Sequence, residues 1–551
     1  MPQPALTPVH ELQTGTPAKG RRVLRWILLF AAVGLIGIAA IAAVIVRRAQ
    51  PILQARVIET LSTKFKSRVE LDSFHVSPYP QLEVTGGGLR IFGQTDPNSH
   101  QPGVQPIIGV MEFRFAVGLW NLFRSPMHVS TVYLKGLQIN LPPKGQRQEM
   151  KSMKPQGGKI KIVVDKLDSE TAALIINTDK PGKLPLEFAI QHLQMTSVGA
   201  NEPMHFEADL INPKPVGAIH STGSFGPWQA DSPRDTPVRG KYAFNNADLS
   251  TIKGIGGILS STGSYDGTLD HIAVDGATDT PDFRIAISGR PVPLHTDFHA
   301  IVDGTSGDTY LQPVKGKLLD TQLTAYGAVV REKTPPGHQI TLDVTIDKGK
   351  IDDLLKLAMR TDPPIMTGTV HLKTKFYLPP GQPDVSRRLK LAGDFKVAQA
   401  HFANRKIQDK VDSLSMRSQG KPKEATDNIP DNVQSDLSGT FRLNAGLLSF
   451  STVRYEVPGA QVNLTGQYSL EGRQFDFHGK ARLDARLSQM VTGWKSALLK
   501  PVDPFFHKDG AGTVLPVSIT GTKSNLDLGV GPFHKSQKKK DKDKDTDNDT
   551  D

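Results

Sequence analysis

The sequence predicts a mainly β protein: an elongated, curled antiparallel β-sheet groove with a few short helices, behind a single N-terminal transmembrane helix. Three observations carry this expectation. One uncharged apolar run lies near the N-terminus, apolar residues recur at every second position over much of the chain, and Gly, Asp, Asn and Pro separate those stretches. At 551 residues the chain exceeds what one core supports, which asks for several domains or one extended body. With 38% apolar residues and a mean hydropathy of −0.29, a polytopic membrane protein is excluded. The absence of Cys excludes disulfide scaffolds, thiolate metal sites and thiol nucleophiles.

Residues 1–26 form a basic arm, with Lys19, Arg21, Arg22 and Arg25, expected in the cytoplasm. Residues 27–46, Ile27 to Val46, carry no charge, and 20 helical residues span about 30 Å, the thickness of a hydrocarbon core. Trp26 stands at one boundary and Arg47 and Arg48 at the other. Basic residues on both sides blunt the positive-inside signal. The segment is read as a retained anchor in the inner membrane, with residues 49–534 in the periplasm. Ala40-Ile41-Ala42 keeps a cleaved signal peptide open as the alternative. Much of the +11 formal charge flanks this run; the rest is spread too thinly, with only 7% aromatics, for nucleic-acid binding.

Leu53, Val57, Leu61 and Phe65 then recur every fourth residue, which predicts a short amphipathic helix. It either caps the strands after it or lies along the headgroups. From Val69 the period changes to two. Phe74, Val76 and Pro78 alternate with polar residues, and Phe283, Ile285 and Ile287 do the same. The cleanest stretches place Ile340, Leu342, Val344 and Ile346 on one face, and likewise Val370, Leu372, Phe376 and Leu378. Val462 and Leu464, then Phe475 and Phe477, repeat the pattern. Such alternation marks antiparallel strands with one apolar and one wet face. Helices are expected at Phe115–Phe123, at Ile351, Leu354, Leu355 and Ala358, and at Leu487, Met490, Val491, Trp494 and Leu498.

A long sheet with one apolar face must bury it, by pairing with a second sheet, by a cover of helices, or by curling around something else. The expected helices are too few to cover it, and a sandwich core asks for more large aromatics than this chain holds. A curled trough left empty exposes far more apolar surface than soluble proteins carry, unless acyl chains fill it. At about 0.8 kcal/mol per buried CH₂, a diacyl lipid is held without a specific polar contact. The twelve alternating residues just named from Ile340 to Phe477 are therefore the candidate groove lining.

Four passages resemble the AsmA-like family of membrane-anchored bacterial envelope proteins, related to the TamB-type β-groove lipid-transfer proteins. They are Arg68–Ile91 behind the anchor and helix, Phe115–Leu141, Gly267–Leu318, and Phe505–Leu528 with its closing LPVSITGTKSNLDL. The resemblance implies a long curled sheet with an apolar groove. It also implies carriage of phospholipids between inner and outer membranes and support of outer-membrane integrity. Membrane phospholipids are the expected partners, with an envelope protein partner possible at the end distal to the anchor. Oligomeric state is not given by the sequence.

No catalytic constellation is legible. His295 and His299 lie four apart in a strand pattern without a third ligand, and Gly254, Gly256 and Gly257 lack dinucleotide spacing and read as a flexible turn. No enzyme activity, cofactor or metal is expected. Residues 535–551, alternating Lys and Asp without an apolar residue beyond Lys538, are expected to be a disordered tail. Two functional readings remain. One is an anchored lipid-binding protein supporting phospholipid transfer and outer-membrane biogenesis. The other is a non-catalytic adaptor whose closed β-domains bind partners through surface loops.

Overall fold

The computed structural model describes residues 68–77, 82–92, 106–117, 127–141, 162–177, 185–198, 202–227, 229, 233–286, 289–427, 433–507, 510, 512–522 and 525–530, with single residues of 33–37 and 51–62. The expected arm 1–26 and tail 535–551 lie outside them. So does the expected span 27–46, apart from Val33, Gly34, Ile36 and Gly37, which are helical. No helix among the described residues is long and apolar enough to cross a membrane. Within 51–62 every described residue is helical, and Val57 packs on the first apolar cluster, as a capping helix does.

The protein is mainly β, and its strands join in one large, curled sheet. The first group is β1 (Val69–Glu70), β2 (Ser73–Ser77), β3 (Leu82–Ile91), β4 (Ile108–Val117), β5 (Met127–Lys135), β6 (Gln138–Leu141), β7 (Ile162–Ile176) and β8 (Leu186–Val198). The middle group is β9 (Met204–Pro213), β10 (Val216–Phe225), β11 (Pro237–Asp248), β12 (Ile255–Gly256), β13 (Ile258–Thr268), β14 (His271–Ile285), β15 (Val292–Asp303), β16 (Asp308–Leu318) and β17 (Thr321–Lys333). The last group is β18 (Pro336–Lys350), β19 (Met366–Leu378), β20 (Lys390–Phe402), β21 (Asp436–Asn444), β22 (Leu447–Val457), β23 (Ala460–Ser469), β24 (Gln474–Leu483), β25 (Thr513–Thr522) and β26 (Asn525–Val530).

From β7 onward the sheet is an antiparallel meander in which each main strand pairs with the next. One exception corrects the all-antiparallel expectation: β5 and β6 run parallel to β7, Met127 facing Ile162 and Leu141 facing Ile176. Parallel neighbours need a connection of a dozen residues or more, and residues 142–161 supply it. Gly254–Gly257, expected as a turn, contains β12, whose Ile255 pairs with Ile285 of β14.

From β13 onward the connections sort to two rims. Tight hairpins close β13–β14, β15–β16, β17–β18, β21–β22, β23–β24 and β25–β26 on one rim. The other rim carries helix α1 (Ile351–Ala358), which matches the expected helix there. It also carries α3 (Arg405–Ser418), α4 (Glu424–Asp427), α5 (Trp494–Leu499) and α6 (Asp503–Phe506); α2 (Val385–Arg388) lies on the hairpin rim. The expected helix at Phe115–Phe123 is corrected: Phe115 to Val117 end β4, because their alternation with Arg114 and Ala116 continues the pairing with β3. Residues 118–123 lie outside the described residues.

The curl is visible in contacts between strands far apart in the order. Arg331, near the hairpin end of β17, donates from Nη1 to the carbonyl of Pro185 at the opposite rim of β8, at 2.8 Å. Eight strand steps separate them, and a twist of roughly 20–25° per step turns a strand through about 180° over that distance, which brings opposite rims together.

Candidate functional site

Registers place all twelve expected lining residues on one face. Ile340 faces Leu378, Leu342 faces Phe376, Val344 faces Thr374, Ile346 faces Leu372, and Val370 faces Gly349. Val462 faces Ala481, Leu464 faces Gly479, Phe475 faces Tyr468, and Phe477 faces Gly466. Between these strand pairs the face continues unbroken. Phe376 meets Leu391, Leu391 meets Leu443, and Leu443 meets Leu448. In a second row Phe441 meets Phe450, and Phe450 meets Gly466.

The rings make a track across this face. Phe395 lies 6.3 Å from Phe441 and 6.4 Å from Phe450, Phe450 lies 5.6 Å from Phe477, and Tyr468 lies 4.6 Å from Phe475. Phe450 and Phe477 sit on strands two apart, and they meet above Gly466 of the strand between. A Cβ at Gly466 would stand 2.3 Å from the carbonyl of Asp476 and 2.7 Å from the Phe477 ring. Gly439 serves Phe395 in the same way. Glycine at these positions lets neighbouring strands approach closely, and the adjacent ring fills the space a side chain would take.

The twelve residues are not equivalent. Ile346 and Val370 are buried in a cluster closed by Ile351, Leu354 and Leu355 of α1. Leu464 is also buried, and Val462 packs on the cluster covered by Val411 and Leu414 of α3. The helix-rim end of the face is therefore sealed by the chain's own helices. Toward the hairpin rim, Leu342, Phe376, Leu378, Phe475 and Phe477 stay half-buried. The helices are held from below by buried acids. Asp353 of α1 accepts from Thr321 Oγ1 at 2.9 Å and from the Asp320 amide at 3.1 Å. Asp412 of α3 accepts from the Val433 amide at 3.3 Å, and from Gln408 Nε2 of its own helix at 2.8 Å.

Helix α3 and the contributions of β20–β22 were not anticipated from the sequence. Asn404 caps α3 by accepting from the Lys406 and Ile407 amides, and Ile407, Val411 and Leu414 are spaced for one face, so its signal was present. In β20–β22 the alternation is interrupted by Gly393 and Gly439 and by a bulge between Phe450 and Val453, which shifts the phase of β22.

The opposite face is polar. Four of its histidines pair with aspartates across strands: His192 with Asp168 at 2.9 Å, His220 with Asp209 at 2.7 Å, His295 with Asp279 at 2.7 Å, and His299 with Asp275 at 2.8 Å. No cluster of three metal-ligating side chains occurs among the described residues. A cavity of about 830 Å³ opens between β8 and β14 and is lined chiefly by polar-face residues, among them Glu207, Thr222, Arg239 and Lys241. Arg239 there is bound to Asp266 at 2.8 Å, which holds its guanidinium above the usual range. No family model, curated protein or solved structure matches the chain.

Proposed function

We propose that this chain is a membrane-anchored periplasmic lipid-binding protein that holds acyl chains against the apolar face of β17–β25 and supports phospholipid transfer between membranes and outer-membrane integrity. The observation that carries the reading is the unbroken cross-strand row Leu342–Phe376–Leu391–Leu443, on a face whose helix-rim end is sealed and whose side chains toward the hairpin rim are half-buried. A row of similar aliphatic and aromatic side chains offers acyl chains similar affinity at successive strands. Each CH₂ withdrawn from water contributes about 0.8 kcal/mol, so binding needs length of contact, not a headgroup site. Sliding along such a row costs little because each step exchanges one apolar contact for another.

The test is mass spectrometry of lipid retained by the purified full chain. Leu342→Asp with Phe376→Asp is expected to cut retained phospholipid by about tenfold, because each carboxylate must be desolvated wherever an acyl chain lies against it. Lys375→Asp, on the polar face, leaves retention unchanged. Equal retention by the Leu342/Phe376 variant, with its unfolding midpoint preserved, refutes the groove as the lipid path.

A further inference from the structure

The segment between β24 and β25 was expected as one helix at Leu487, Met490, Val491, Trp494 and Leu498. It is instead broken. Leu487–Met490 forms a 3₁₀ turn, Val491 is extended, and Gly493 at φ 69° redirects the chain. From Trp494 the backbone is helical again through α5, the 3₁₀ turn Lys500–Val502 and α6, with Leu499, Lys500, Val502 and Asp503 all right-handed helical. Trp494–Phe506 is thus one continuous helical run.

Its polarity is inverted. Trp494 is 71%, Leu498 63% and Phe505 76% exposed, and their spacing of four and seven places them on one stripe. The inward side is tied down. Leu499, Val502 and Phe506 are half-buried, and Asp503 is buried, accepting from the Ser488 amide at 2.9 Å and from Ser488 Oγ at 2.6 Å. Asp503 is the one acid between Trp494 and His507, and it faces inward, whereas Lys495, Lys500 and His507 are exposed beside the stripe. Neither lysine makes an ion pair with a described acid. Scattered exposed apolar residues are ordinary, but a Trp, a Leu and a Phe aligned on one helical face and rimmed by cations are not.

We propose that Trp494–Phe506 docks on an anionic phospholipid membrane, inserting Trp494, Leu498 and Phe505 at the headgroup boundary while Lys495 and Lys500 meet the lipid phosphates. The argument is charge complementarity and composition. An aromatic and aliphatic stripe with a basic flank and no outward acid fits an interfacial helix, and the buried acid fixes which side faces out. The run joins β24 to β25, near the end of the strand order opposite β1–β4. The test rests on the membrane anchor of the proposed function, but the proposal stands without lipid occupancy of the groove.

The experiment reconstitutes the full chain in nanodiscs and measures capture of added vesicles, of phosphatidylcholine with or without a minority of phosphatidylglycerol, by flotation. Vesicles containing phosphatidylglycerol are expected to be captured. The combined Trp494→Ser, Leu498→Ser and Phe505→Ser variant reduces capture by about tenfold. Lys495→Glu with Lys500→Glu reduces it several-fold on anionic vesicles and little on neutral ones. These side chains are exposed, so an unchanged melting curve separates loss of docking from loss of fold. Absence of capture by the unmodified chain, or capture that survives the serine variant, overturns the proposal; a protein partner on the stripe gives the first of these results. The Leu342→Asp/Phe376→Asp chain still captures vesicles, so the two readings fail separately.

Discussion

The sectors β9–β14 and β18–β25 solve the same geometric problem with different chemistry. In both, one face alternates rings with glycines across neighbouring strands. In β9–β14 the rings are Tyr242 and Tyr265. A Cβ at Gly240 would lie 2.4 Å from the Tyr265 hydroxyl, and one at Gly263 would lie 2.7 Å from the Tyr242 ring. Each hydroxyl finds a serine on the same face: Tyr265 with Ser221 at 2.7 Å and Tyr242 with Ser261 at 3.1 Å. Burial pushes both phenols above their usual range, against the smaller opposing effect of those bonds. In β18–β25 most rings are phenylalanines that touch one another, with Tyr468 set against Phe475. Curl therefore comes from the pairing of ring and glycine, and the surface presented comes from the tip of the ring. The consequence for lipid is direct: the first sector lays a belt of satisfied hydroxyls across the face, and the second lays an apolar floor.

The largest effect expected from this comparison is shared by both sectors. A Cβ at Gly263 would fall 2.4 Å from the carbonyl of Asp275, and one at Gly479 would fall 1.9 Å from that of Asn463. Both obstacles are backbone, so neither can swing away. Gly263→Ala and Gly479→Ala are each expected to cost about 3 kcal/mol or more, at the severe end for single substitutions. Amide hydrogen exchange reads the loss where it occurs, in β13–β14 or in β23–β24, because neighbours in a meander are coupled mainly to one another. Tolerance of alanine at either position breaks the claim that one device curls both sectors.

A smaller effect separates them. Tyr265→Phe keeps the ring over Gly240 and removes one hydroxyl. Ser221 still donates to the Lys241 carbonyl at 3.0 Å, so no buried group is stranded. The expected cost is about 1 kcal/mol, the net worth of one neutral hydrogen bond, measured as a shift in the urea midpoint. A cost several times larger would mean that the hydroxyl belt, and not the ring, holds this sector together.

The contrast also marks what the sequence could show. Alternation in Ile340–Ile346, Val370–Leu378 and Phe475–Leu483 was legible because each position on the face carries a side chain. In β10 and β11 the same face reads Gly223, Ser221, Gly240 and Tyr242, which has no apolar period although it continues the same rows. Helix α1 was legible from Ile351, Leu354 and Leu355. Its role was not, since sealing Ile346 and Val370 depends on β18 and β19 meeting beneath it. The outward stripe was half-legible: Trp494 and Leu498 were read as helical, but their facing was set by Gly493 and by the bond from Ser488 to Asp503, neither of which periodicity records.

The smallest effect tests the polar faces. The His–Asp pairs across strands lie on β7–β15, whereas His478 of β24 meets Asp476 of its own strand, at 2.8 Å. A pair within one strand holds no neighbour in register; one between strands does, when the imidazole is charged. The Asp279 carboxylate, hydrogen-bonded to His295, raises that imidazole above its ordinary value, against the opposing effect of burial and with smaller help from the charges of Asp279 and Asp297. A folded value above the unfolded one means that the contribution is complete below the unfolded pKa of about 6.5 and disappears as pH rises through the raised folded value. His295 is 41% exposed, and water screens the pair, which limits the gain to a few tenths of a kcal/mol. NMR titration is expected to place the His295 midpoint above 6.5, and Asp279→Asn to bring it down. The protection factors of the β14–β15 amides, exchange rates divided into their intrinsic pH-dependent values, should fall slightly across the same interval in the native chain and stay flat in His295→Gln. A His295 midpoint at or below the ordinary value would remove the cross-strand pairs from what distinguishes the middle sector.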